Sequence, residues 1–251
     1  MSRSVGRRIL GYLGALAVML LAWEALALAI DQPFLPPPTA AIPTFIELFG
    51  EIAPHILISA WRVVASLALG TVFAVPLGLA LGRSPRTDAV AAPIVFLSYP
   101  VPKVVFLPVL MLLLGLGSLS KIALITLIVF FQILVTARDA ARSIPAAPVL
   151  SVRSLGANGG QVFRHVVFPA SLPEIFTALR IGSGTAVAVL FLAEATAGTS
   201  GLGYYIVDAW GRINYDAMFA GILGMALLGV VLYEALELLE GRLCRWARAG
   251  R

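Results

Sequence analysis

Apolar residues run through this chain in blocks too long for one face of a helix or strand, and polar residues collect between them. A segment crossing a ~30 Å hydrocarbon layer needs about 20 mainly apolar residues at 1.5 Å rise each. Six blocks meet that demand: Ile9 to Ile30, Val63 to Gly82, Pro93 to Leu116, Leu119 to Ala137, Ile181 to Ala197 and Ala217 to Leu239. The third carries Pro93, Pro100, Pro102 and Pro108, which remove backbone donors and predict a kinked or interrupted span. After the first block comes "DQPFLPPPTAAIP", too proline-rich for regular helix. The first block is also too long for the apolar core of a signal peptide and lacks a small-residue cleavage site, so it is expected to stay attached. The pattern predicts an all-α polytopic membrane protein, residues 1–251 forming a single transmembrane domain.

Composition agrees, with 60% hydrophobic and 12% charged residues, about half the charge of an ordinary soluble domain. The distribution of Lys and Arg sets an orientation. Arg3, Arg7 and Arg8, then Arg83 and Arg86, then Arg138, Arg142, Arg153, Arg164 and Arg180, then Arg242, Arg245, Arg248 and Arg251 all fall on one side of the six-span map. Arg62, Lys121 and Arg212 fall on the other, and Lys103 lies within the third span. The positive-inside rule places both termini in the cytoplasm. The net charge of +5 is then explained by anionic inner-leaflet lipid, with no call for nucleic acid. Cys244 has no second cysteine to pair with and no companion ligands, so neither a disulfide nor a metal site is expected.

One connection departs from the pattern. From about Arg138 to Arg180 a cytoplasmic loop is much longer than its counterpart, yet neither strongly charged nor of low complexity, which marks it as functional. Val149, Val152 and Leu155 recur at helical spacing before Gly156, and Val162, Phe163, Val166 and Val167 recur after "GANGG". Gly and Asn supply left-handed conformations for a sharp turn between two short helices. Pro169 is expected to end the second helix and Pro173 to sit in the first turn of the helix leading to the fifth span. An apolar side protruding from the membrane face needs a partner or lipid to cover it.

The spacing Gly156, nine residues, then Val166, Val167, Phe168 and Pro169 resembles the coupling loop of binding-protein-dependent ABC importer permeases, written E-A-A-x3-G-x9-I-x-L-P. The E-A-A positions hold Leu150, Ser151 and Val152 here. "FLPPPTA", "GLALGRS", "YPVPKVVFLPVLMLLLGLGSLSK" and "LAEATAGTSGLGYYI" extend the likeness over nearly the whole chain, toward the nitrate, sulfonate and taurine permease group. The resemblance implies a type I ABC importer permease fold in the bacterial inner membrane. It also implies a second copy of the permease, two cytosolic ATPase subunits bound at the loops, and an external substrate-binding protein. By the same resemblance, Val149, Val152, Arg153, Leu155, Gly156, Val162, Phe163, Val166 and Pro169 are candidate ATPase-coupling residues, with Val149, Val152, Val162 and Phe163 as the inserted side. The substrate would be a sulfonate, taurine or nitrate-like anion, or, as in some relatives, a thiamine-precursor pyrimidine.

Neither Lys103 nor Lys121 follows glycine in a phosphate-binding loop, so ATP is expected to be handled by another subunit and no cofactor by this one. "GTSG" matches the G-x-S-G of intramembrane serine proteases with Ser200 as nucleophile, but His165 falls on the wrong side and His55 would have to lie unexpectedly deep. A secondary carrier or channel would show inverted repeats and midplane charges, and no convincing repeat is visible. Lys103, Glu194 and Gln132 are candidate pathway residues, since polar groups in hydrocarbon face a partner or water. The competing roles are a snorkelling ammonium for Lys103, an ion pair with Arg212 or Lys121 for Glu194, and a bond to a neighbouring helix for Gln132. Gly78 and Gly82 read as a close helix contact, and Tyr204, Tyr205 and Trp210 as an aromatic belt or a docking surface.

Overall fold

The computed structural model describes Ser2–Trp246, with side chains from Gly11 onward except at Ala197, and every regular element among the described residues is helical. Among the described residues five helices are long and apolar enough to cross a membrane, and a sharply bent pair, counted as one span, brings the number to six. The first, α1 (Ser2–Ile30), is mainly apolar and scarcely covered from Gly11 onward, with Tyr12, Leu16, Met19 and Leu28 exposed, as a lipid-facing helix should be. It ends where Asp31 takes a positive φ of 48° ahead of the proline run.

That proline run becomes helical sooner than the sequence suggests, because α2 (Pro38–Glu47) begins within it. Pro38 stands at the first helical positions, where its missing N–H costs nothing, and Pro43 forfeits one interior bond. Glu24 of α1 accepts from the Oγ1 and amide N of Thr39 at 2.9 and 3.3 Å, which caps α2 and fastens it to α1.

Next, α3 (Phe49–Arg83) is 35 residues long and starts well before the expected Val63. Its buried positions Ile52, Ser59, Val63, Ser66, Gly70, Ala74 and Gly78 follow a three-to-four spacing that defines one inward face. That face meets α6 (Ser118–Ser143), whose Ile122, Ile125, Val129, Ile133 and Ala137 form the matching stripe. At Gly78 a Cβ would come within 2.6 Å of the Leu134 carbonyl oxygen, and at Gly82 it would overlap that of Arg138, so the two helices touch backbone to backbone.

The proline-rich third span is broken as expected. Here α4 (Pro85–Ser98) and, after a 3₁₀ turn at Lys103–Phe106, α5 (Leu107–Leu114) form a pair bent by 79°. Arg138 of α6 grips the first half, donating to both oxygens of Asp88 at 2.5 and 2.7 Å.

The long connection holds α7 (Ala146–Ser154) and α8 (Gly159–Val162), followed by a π turn at Phe163–Val167 and α9 (Phe168–Ala197). Pro169 does not end a helix. The amide of Phe168 reaches back five residues to the Phe163 carbonyl, and this wider turn carries the chain past a residue that has no donor. Pro169 therefore occupies the first turn of α9, and Pro173 sits inside it rather than at its start. The chain closes with α10 (Leu202–Gly211) and α11 (Tyr215–Leu243), where Arg180 of α9 pairs with Glu240 of α11 at 3.1 Å. Cys244 is buried at the end of α11 as part of the core.

Candidate functional site

At one end of the bundle, α7 and α8 make a hairpin whose turn is specified by local chemistry. Gly156 takes φ +84°, its amide bonds the Arg153 carbonyl at 2.9 Å, and the Ala157 amide bonds that of Val152 at 3.3 Å. This paired closure satisfies the last carbonyls of α7 and requires a left-handed residue. Immediately afterwards Asn158 caps α8: its Oδ1 accepts from the Gln161 amide, and Gln161 Oε1 accepts from the Asn158 amide, both at 2.9 Å. The "GANGG" signal thus encodes one helix ending and the next helix beginning within a few residues.

The side that faces out differs from expectation. Val149 and Val162, expected on the protruding side, are 5% and 4% exposed and pack with Val167 into the chain's own core; Val166 is half-buried against it, and Val152 is half-buried. The outward residues are Leu155, 86% exposed, with Leu150, Arg153 and Phe163. Helical spacing identified an apolar stripe, but part of this stripe is buried in the chain's own core. Gly156 is exposed and Pro169 half-buried at the start of α9.

About 45 Å away, at the far end of the 30-residue α9, lies a buried polar node. Glu194 is 0% exposed, and its Oε1 accepts from Arg62 Nη1 at 2.7 Å. Ser59 Oγ lies 2.9 Å from both carboxylate oxygens and accepts from the Leu202 amide at 2.8 Å. The Gly203 amide donates to Glu194 Oε2 at 2.9 Å. Arg62 also donates from Nη1 to the Ser200 carbonyl, from Nη2 to Ser200 Oγ and from Nε to Ser118 Oγ, at 2.9, 3.0 and 3.0 Å. A buried carboxylate with a guanidinium and two further donors has the partners that burial demands.

Glu194 therefore pairs with Arg62 and not with Arg212, which instead holds Asp208 of its own helix at 2.9 Å. Glu194 is enclosed by the chain itself. Lys121 lies in the field of both node charges while its ammonium donates to the carbonyls of Leu116 and Gly117. The Ser200 hydroxyl faces Arg62, and His55 Nδ1 engages the backbone of Gly201 at 3.1 Å, so the serine and histidine of the protease reading do not meet.

Arg62 was the residue missed, since it immediately precedes the expected second span and was assigned to the aqueous side. The signal was present nonetheless. Ser59, Arg62 and Ser66 fall at i, i+3 and i+7 on the face that carries Val63 and Gly70.

Lys103 closes the break between α4 and α5, donating to the carbonyls of Ser98, Tyr99 and Val101 at 2.8, 3.0 and 3.3 Å. A cation at carbonyls that end a helix is favourable. The ammonium also sits 4.6 Å from the centre of the Phe131 ring, over α6. Gln132 of α6 donates to Thr185 Oγ1 of α9 at 3.3 Å, while its buried Oε1 accepts from no group in the described chain. Lys103 and Gln132 share the wall of a cavity of about 270 Å³ with Tyr99, Val101, Ile128 and Phe131.

Residues 70–245 match the family model of the binding-protein-dependent transport system inner membrane component. The taurine transport system permease protein TauC of Escherichia coli strain K12 is 34% identical, over 96% of this chain and 91% of that protein. The formylaminopyrimidine transport permease protein ThiX of Halalkalibacterium halodurans is 28% identical over 92% of this chain and 93% of that one. In fold, the chain is similar to an inward-facing structure of the MetNI methionine ABC transporter, with a TM-score of 0.66 at 19% identity, over 78% of this chain and 98% of that one. The family match over most of the sequence and the match to TauC along nearly the whole of both chains agree, and the chain belongs to the inner membrane components of binding-protein-dependent ABC transport systems.

Proposed function

We propose that this permease carries a small sulfonate of the taurine type, delivered by an external binding protein, through a pathway formed with a second copy of itself. The observation that carries the substrate class is the 34% identity to a taurine permease along nearly the whole of both chains. On this reading the α7–α8 end lies in the cytoplasm, where Arg83, Arg86, Arg142, Arg153 and Arg164 collect, and both termini lie on that side. The hairpin is the coupling loop, presenting Leu155, Leu150, Arg153 and Phe163 to a cytosolic ATPase. Val149, Val152, Val162, Val166 and Pro169 support that surface from behind, and Gly156 shapes its tip.

Lys103 and Gln132 are the proposed contacts along the path. The three carbonyls occupy the protons of the ammonium, so Lys103 offers an anion its fixed charge, and the open Gln132 oxygen suits an amine.

The test is reconstitution in proteoliposomes with the ATPase and the binding protein, following ATP-dependent uptake of labelled taurine, nitrate and formylaminopyrimidine. Taurine uptake is the expected result, and Lys103→Met should lower it by about tenfold, the effect of ~1.4 kcal/mol on the barrier, without loss of ATPase copurification. Uptake of the pyrimidine alone would transfer the assignment to the ThiX-like substrate. Failure to copurify any ATPase would remove the importer role.

A further inference from the structure

We infer that Arg62, Glu194 and Ser59 are positioning residues for coupling: they lock the loop that starts α10 onto the end of α9, so that a binding protein docked on α10 is felt at the α7–α8 hairpin. The inference rests on the importer reading above and adds a specific mechanical joint to it.

The bonds of the node are spent on the loop backbone. Arg62 takes the carbonyl and hydroxyl of Ser200, Ser59 takes the Leu202 amide, and Glu194 takes the Gly203 amide. His55 takes Gly201 between them. Four consecutive residues are thus fixed by side chains of α3 and α9. The fit leaves no slack: Gly201 has φ +102°, and a Cβ there would overlap the Glu194 carboxylate. A Cβ on Gly203 would come within 2.6 Å of the Phe191 carbonyl oxygen.

The same Arg62 reaches Ser118, at the start of α6, and Lys121 secures Leu116 and Gly117 just before it. The connections leading into α6 and into α10 therefore answer to one buried cluster. Burying a guanidinium and a carboxylate is a poor route to stability, because well-packed apolar groups do as well or better. What such a network supplies is a single defined geometry.

Beyond the node two features give that geometry a use. From Glu194 the helix runs back without interruption through α9 and the π turn to Gly159, so a tilt imposed at one end arrives at the other. On the opposite side of the loop, α10 and the turn after it show Trp210 at 61% and Ile213 at 72% exposure beside the exposed Arg212. An exposed Trp, Ile and Arg make a surface suited to a protein partner.

The experiment uses the full complex in lipid nanodiscs with ATPase and ligand-loaded binding protein. Ser59→Ala and Ser200→Ala loosen the loop but keep the Arg62–Glu194 pair. Each should still copurify with the ATPase, while the ratio of binding-protein-stimulated to unstimulated ATP hydrolysis falls about fivefold, the scale of one lost hydrogen bond. An unchanged ratio in both variants would overturn the proposal.

A measurement on the wild-type complex decides the matter even if a variant fails to assemble. Adding the loaded binding protein should change amide hydrogen exchange across residues 159–167 by about threefold or more, since those amides report local opening. A change confined to α10 overturns the joint while leaving the importer role intact. A wild-type complex that docks no binding protein removes both.

Discussion

Gly78 and Gly82 show how single residues set the spacing of this bundle. In hydrocarbon, apolar side chains gain little by leaving lipid for one another, so helix pairs depend on close packing and polar contacts. Both glycines lie where α3 meets the backbone of α6, and a side chain at Gly82 would overlap the Arg138 carbonyl. Gly82→Val should therefore force the helices apart and cost about 1–3 kcal/mol, the usual penalty of overpacking. Gly229→Ala, with nothing within 4 Å of its added Cβ in the middle of α11, should keep or raise stability, by up to about 1 kcal/mol. Thermal denaturation of each variant in the same detergent, followed by size-exclusion chromatography, checks both. Equal behaviour of the two would remove the close-packing account. The glycine pair was legible in the sequence because its spacing of four is a property of one helix. For Arg62 only the face was legible, from its spacing with Ser59 and Ser66; its partner was not, because Glu194 lies 132 positions away.

At the scale of elements, local chemistry was readable and the identity of neighbours was not. The turn at Gly156 draws on residues within a few positions, so "GANGG" carried it, whereas Asn158, expected to share the left-handed turn, has φ −77° and caps α8 instead. The same stretch could not say which side of the hairpin is covered, since core and docking faces share one periodicity. Burial divides them and changes the expected effect of a charge. Leu155→Asp places a carboxylate on the exposed tip: the chain should assemble normally but lose about tenfold in ATPase affinity, because a charge buried unpaired in an interface is costly. Val162→Asp places it in the chain's own core, so expression and monodispersity should fall whether or not an ATPase is present. Gly156→Val must hold a β-branched residue at positive φ and should lose coupling through a displaced tip. Copurification of the ATPase, read beside the yield of folded permease, separates these cases. Leu155→Asp with full ATPase retention would exclude the tip as the contact.

For the whole molecule, orientation decides which end meets which partner, and it rests on charge rather than on packing. The α7–α8 end gathers arginines, whereas the charges at the α10 end are largely consumed by the node and by the Arg212–Asp208 pair. Arginines facing an anionic inner leaflet are favoured by about 1 kcal/mol each, so inverting the bundle would forfeit several such terms together. With the bent α4–α5 pair counted as one span, six crossings return the chain to its starting side whichever way the bundle faces, so the charges alone choose the side. Two exposed positions report the result. Gly159 has open space around an added Cβ, and Gln32 lies exposed in the turn after α1, so a cysteine at either site should be tolerated and reachable. Cys244 is 1% exposed and should react slowly, and replacing it with alanine removes any background. In intact cells a membrane-impermeant thiol reagent should label Gln32→Cys and leave Gly159→Cys untouched until the membrane is opened. Labelling at 159 from outside would turn the bundle over, taking the hairpin out of reach of any cytosolic ATPase.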